Sequence, residues 1–157
     1  MNRCLAILCL SVMLSAITLA SNPPATLLGY WTVKRDLRAP GIVGLSQKEI
    51  NQIIGTRIFY SESCAKSGRA VLASPGYETT TLSEREFFEY ARVSLKQVGI
   101  TGTTVTQVSL SGSEALPKRF VGSIVFLGGQ NPVIEVEGVF FELARTEPDR
   151  GECACVK

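Results

Sequence analysis

Gly29-Tyr30-Trp31-Thr32-Val33-Lys34-Arg35 alternates along its length, with Trp31 and Val33 on one side and Tyr30, Thr32 and Lys34 on the other. Successive side chains of an extended backbone point to opposite sides, so a period of two marks a strand with one buried face. The stretch therefore predicts a first strand that lays Trp31 against a core. Working outward, further extended runs are read at Thr56 to Ser61, Arg69 to Ala73, Tyr77 to Thr81, Thr103 to Leu110 and Phe120 to Leu127, followed by a long final strand. Lys66-Ser67-Gly68, Pro75-Gly76 and Gly128-Gly129-Gln130-Asn131 supply turns between them. In the final run Ile134 and Val136 have one parity, and Val139, Phe141 and Leu143 the other. A one-residue slip would turn one set to solvent, so a bulge near Glu137-Gly138 is expected to restore the register.

Two helices interrupt this pattern. In Leu45-Ser46-Gln47-Lys48-Glu49-Ile50, Ser46 can cap, Glu49 three residues on completes a capping box, and Leu45 can staple onto Ile50. Ile50, Ile53 and Ile54 form the apolar stripe, and Gly55 ends it. Leu82-Ser83-Glu84-Arg85-Glu86-Phe87 repeats the signature and opens a longer helix whose Phe87, Ala91, Leu95 and Val98 share a face until Gly99. Nothing else repeats between the two, which reads as independent use of one cap. The sum is a β-rich α+β fold: an antiparallel barrel or strongly curved sheet of about seven strands with two inserted helices.

The chain opens with a short basic segment, an apolar stretch from Cys4 to Ile17, and small residues at Thr18 and Ala20. Residues 1–20 are thus expected to be a signal peptide, 21–145 a single β-rich domain and 146–157 a coil tail, in a secreted or periplasmic protein. A retained anchor is the alternative, but the stretch is short for a span and lacks a basic flank on its C-terminal side. No stable membrane insertion is expected after cleavage. Arg3 leaves with the signal, so the 16 basic and 14 acidic residues of the whole chain become 15 and 14, and the charge falls from +2 to +1. That balance carries no nucleic-acid footprint. Of five cysteines, Cys4 and Cys9 also leave, which keeps Cys64, Cys153 and Cys155 in an oxidising compartment. One disulfide from Cys64 to Cys153 or Cys155 would clamp the tail and leave one thiol over.

Gly29-Tyr30-Trp31 resembles the Gly-x-Trp motif on the first strand of lipocalin-like (calycin) proteins, and Leu27 to Val33 is similar to the opening of many small exported bacterial domains of that kind. The resemblance implies a lipocalin-like barrel in which an arginine of the last strand, here Arg145, lies over Trp31 and closes the barrel base. Lipocalins run eight meandering strands with one helix after the barrel, whereas two helices are inserted early here. For function the resemblance implies a cavity for a small apolar molecule, or a barrel rim that grips a partner protein. Candidate cavity residues are Trp31, Val33, Phe59, Val105, Phe126, Ile134, Phe140 and Phe141. Most of the same residues also read as plain core, the favoured reading for each, because small barrels usually fill themselves with side chains.

Enzyme signatures are nearly absent. Without a single histidine there is no Ser-His-Asp triad, Cys-His pair or histidine metal site. Ser63-Cys64-Ala65-Lys66 has Ser-x-x-Lys spacing without its partner motifs, and Glu135 and Glu137 read as a charged solvent-facing strand with Glu142 further along. Neither a metal nor a cofactor is expected. The loop from Ser111 to Arg119 carries Lys118 and Arg119 as recognition candidates. The sequence therefore points to an exported non-catalytic binding protein for a small apolar ligand. The alternative is an envelope protein-protein interaction module, of inhibitor or immunity type, with a filled core.

Overall fold

The computed structural model describes residues 22–37, 44–112 and 120–148. In chain order its elements are β1 (Gly29–Asp36), α1 (Gln47–Ile53), β2 (Arg57–Tyr60), β3 (Cys64–Ser67), β4 (Ala70–Ala73), β5 (Gly76–Ser83), α2 (Glu84–Ala91), a 3₁₀ helix (Leu95–Val98), β6 (Thr104–Ser111), β7 (Ile124–Leu127), β8 (Val133–Val136) and β9 (Val139–Arg145). The strands form one strongly curled antiparallel sheet in the order β4-β3-β2-β1-β9-β8-β7-β6-β5. Every strand sits beside a neighbour in sequence, and the first also pairs with the last.

The two outer strands, β4 and β5, belong to one run of chain interrupted only by Ser74 and Pro75. Ser74 has φ +47° and Pro75 has no N–H to give to a ladder, so the run bends there and changes partner from β3 to β6. The nine-strand order is thus an eight-strand meander whose fourth strand is folded at a corner. Tyr77 fastens the corner by donating its hydroxyl to the Ser61 carbonyl at 2.8 Å.

Four sequence expectations need correction. The expected bulge at Glu137-Gly138 is a two-residue reversal with φ +49° and +81°, across which Val136 pairs with Val139. A turn exchanges strand parity just as a bulge would, which is why the pattern misled. The true register shift lies between Val33 and Arg35 in the β1–β9 ladder. Lys66 and Ser67 belong to β3, with the turn one step later, and the reversal at Glu137-Gly138 divides the final run into β8 and β9, so the count of about seven strands becomes nine. The second helix does not run to Val98: Arg92 takes φ +59°, and a third capping box, Ser94 with Gln97, starts the 3₁₀ helix. The strand expected from Phe120 begins only at Ile124, because Gly122 has φ +90° and turns the chain inward. There the Val121 N–H donates to Ser67 Oγ at 3.1 Å, and the Tyr60 hydroxyl to the Gly122 carbonyl at 2.8 Å.

Two apolar clusters lie on opposite faces of the sheet. One draws side chains from all nine strands, including Trp31, Ile58, Tyr60, Val108, Ile134 and Phe141, and so fills the concave side. The other packs Phe87, Leu95 and Val98 onto Val105, Phe126 and Phe140 of the convex side. Phe87 meets Phe126 edge-on at 5.2 Å, a geometry that adds to simple area burial.

On the convex side between β1 and β9, Glu142 accepts from Arg35 at 2.6 Å, Asn131 at 2.9 Å and Lys34 at 3.3 Å. The Arg35 hydrogen bond, chiefly, holds this carboxyl below its ordinary range. A carboxylate whose folded pKa is depressed gives stability that is present above its unfolded pKa and lost as pH falls through the folded one. Lys34 and Arg35 are 55% and 63% exposed, so solvent screening limits the gain to about 1 kcal/mol. Glu142→Gln is expected to flatten the acid limb of a urea-denaturation stability curve below about pH 4.5. An unchanged limb would remove Glu142 from that role.

Candidate functional site

α1 owes its place to its ends. Ser46 Oγ accepts from the Glu49 N–H at 3.4 Å, while Glu49 Oε2 accepts from the Ser46 N–H at 2.8 Å, closing the box that starts the helix. Gly44 N–H donates to the Glu137 carbonyl at 3.0 Å and ties the lead-in to the β8–β9 turn. On the exit side, Val33 and the Gly55-Thr56 pair exchange backbone bonds at 2.8 and 3.0 Å. Ile50 and Ile53 then enter the concave cluster, so the helix sits over one end of the curled sheet.

Between α1 and the opposite rim runs an open groove of about 920 Å³. Leu45, Ile53, Phe120, Val121, Ile124 and Val136 give it apolar surface, and Ser46, Lys48, Glu49, Gln52, Thr56, Ser123, Glu135 and Glu137 make its polar walls. Glu135 is fixed there, accepting from the Gly138 N–H at 2.5 Å and the Tyr90 hydroxyl at 3.1 Å. Burial, then the adjacent Glu135 charge, push Tyr90 up to about 12. Tyr90 therefore stays a protonated donor to this carboxylate at neutral pH.

None of the eight cavity candidates lines this groove. Trp31, Val33, Ile134 and Phe141 lie in the concave cluster, whereas Val105, Phe126 and Phe140 lie on the far side of the sheet beneath α2. Phe140 and Phe141 are adjacent in one strand and so cannot share a face. Phe59 is half-buried against the Tyr30 ring, at 4.5 Å between centroids. Sequence reading missed the groove because it forms only where the helix crosses the strands. Its one usable signal was the carboxylate pair Glu135 and Glu137.

Arg145 lies across the β1–β9 ladder from Trp31, its guanidinium carbon 5.0 Å from the ring centroid. Its Nη2 donates to the Leu28 carbonyl at 2.8 Å, and Trp31 Nε1 donates to the Leu27 carbonyl at 2.7 Å. Gly29, with φ +113°, makes room: a Cβ there would stand 3.0 Å from Arg145 Nη2. The glycine, tryptophan and arginine are one packing unit. Cys64 is 2% exposed, although it belongs to neither apolar cluster. Its expected partners Cys153 and Cys155 fall outside the described residues, as do the loop candidates Lys118 and Arg119.

Among the described residues no group of three or more Cys, Asp or Glu could hold a metal ion, and no helix is long and apolar enough to cross a membrane. No family model matches the chain, and neither a curated protein nor a solved structure matches it. Fold and site together define a strongly curled antiparallel sheet with its concave face packed and a half-polar groove at its rim.

Proposed function

We propose that this chain is an exported, non-catalytic binding protein of lipocalin-like character, which takes a small, mainly apolar molecule at its rim and not inside its sheet. The groove carries this reading. Its size lies in the range of small-molecule sites, about 300 to 1,000 Å³, and its apolar surface comes from two walls held in place by caps and backbone bonds. The packed Trp31–Arg145 base supports the lipocalin likeness.

The neutral dye N-phenyl-1-naphthylamine is expected to bind the mature chain saturably. Gln52→Trp, on the exposed side of α1 and in the groove wall, is expected to weaken the dye about tenfold or more, roughly 1.4 kcal/mol. Dye binding that is absent, or indifferent to Gln52→Trp, would rule out the groove. The second reading, an envelope protein-binding module, has its own support: the core is filled, and Phe88 and Tyr90 of α2 are 49% and 48% exposed. Native mass spectrometry of protein purified from its host separates the two by the mass of what travels with it. In the same material, a non-reducing peptide map should join Cys64 to Cys153 or Cys155, the tail clamp we propose.

A further inference from the structure

We infer that the molecule held in the groove is a cationic amphiphile, an apolar body on the groove floor with a positively charged head among Glu49, Glu135 and Glu137. This rests on the groove reading above and adds the charge of the ligand to it. Three carboxylates and one ammonium, Lys48, line the groove. The two signs are not equally free to move. Glu49 is pinned by the Ser46 N–H and hydroxyl at 2.8 and 2.7 Å, and Glu135 by the Gly138 N–H and the Tyr90 hydroxyl. Glu137 adds a third carboxylate from a two-residue turn whose backbone, though not its side chain, is tied to Gly44. Lys48 rides on a flexible four-carbon stem on an exposed helix position and can swing into water.

An anionic head lowered into the groove would therefore meet fixed negative charge while losing its own hydration, a combination that burial makes costly. A cationic head trades water for carboxylates already in place. The apolar residues Leu45, Phe120, Val121, Ile124 and Val136 share the lining with those carboxylates, so one molecule can satisfy both kinds of surface. Electrostatic complementarity of this sort sets which ligand is chosen more than how tightly any ligand is held.

Three probes with the same tail test it on the mature chain below their micelle concentrations: dodecyltrimethylammonium, dodecyl maltoside and dodecyl sulfate, each displacing N-phenyl-1-naphthylamine. The ammonium is expected to bind about tenfold or more tighter than the maltoside, with the gap shrinking as salt rises. Glu135→Gln with Glu137→Gln should close most of that gap by weakening the ammonium far more than the maltoside, whereas Lys48→Gln should widen it. Lys48→Gln is a conservative exchange on an exposed helix position, so it keeps the test open if the carboxylate variants fold poorly. Equal affinity for ammonium and maltoside would overturn the charge assignment and leave the groove standing. Preference for the sulfate would also overturn it, and would give the head to Lys48. Displacement by none of the three would sink both readings together.

Discussion

Gly122→Ala is expected to cost about 3 to 5 kcal/mol of folding stability, read as the loss of midpoint in urea denaturation. A Cβ at this position would fall 2.3 Å from the Tyr60 hydroxyl and 3.1 Å from Ile58 Cδ1, on a backbone held at φ +90°. Neither neighbour can yield cheaply. Tyr60 is fully buried, and its hydroxyl donates to the carbonyl of Gly122 itself. Moving the ring away thus strands a buried donor, while leaving it in place forces an overlap. Burial pushes that hydroxyl far above its ordinary range, so ionisation offers no relief either. Tyr60→Phe alone should cost only about 1 to 2 kcal/mol, the value of a buried hydrogen bond left half made. Combined with Gly122→Ala it should give back part of the alanine penalty, since the closest contact is gone. A loss below about 1 kcal/mol for Gly122→Ala, or strict additivity of the pair, would contradict this account.

The second large effect is Trp31→Ala, expected to remove about 3 to 5 kcal/mol, the usual penalty for deleting a buried aromatic ring. Trp31 is 4% exposed, in a cluster fed by every strand, and its indole N–H is satisfied by Leu27. Arg145 lies over the ring and also holds Leu28. Arg145→Ala should therefore cost less, about 1 kcal/mol, and the double variant should show a coupling of about 0.5 to 1 kcal/mol. Calorimetric melting of the four proteins measures it. Zero coupling would make the arginine a bystander to the ring.

Local rules read well where the chain answers to itself. The boxes Ser46–Glu49 and Ser83–Glu86 formed as their spacing required, because a cap needs only residues three apart. Alternation placed Trp31 and Val33 on the buried face for the same reason. Legibility ended where a distant group decided the outcome. Phe120 to Leu127 reads as one strand until Tyr60 and Ser67, more than fifty residues away, claim the backbone of 121 and 122. Val105, Phe126 and Phe140 are as apolar as Trp31 and Phe141, and composition cannot say which side of a sheet a helix will cover. The groove lay beyond reach for a similar reason, since α1 and the β7–β8 rim are joined by nothing in the pattern of either.

The corner at Ser74-Pro75 bears on how such a chain can come together. With β4 and β5 running into each other, seven of the eight ladders join strands that follow one another in sequence. Each is closed by a hairpin, a helix or a modest loop, whose entropic cost grows only slowly with length. The exception is β1 with β9, which brings Thr32 opposite Ala144. That one encounter joins two runs of local pairings, β1 to β4 and β5 to β9, into a single curled sheet, so the slow step of assembly is expected to belong to it. The indole and guanidinium that meet there are the clasp on which that search ends.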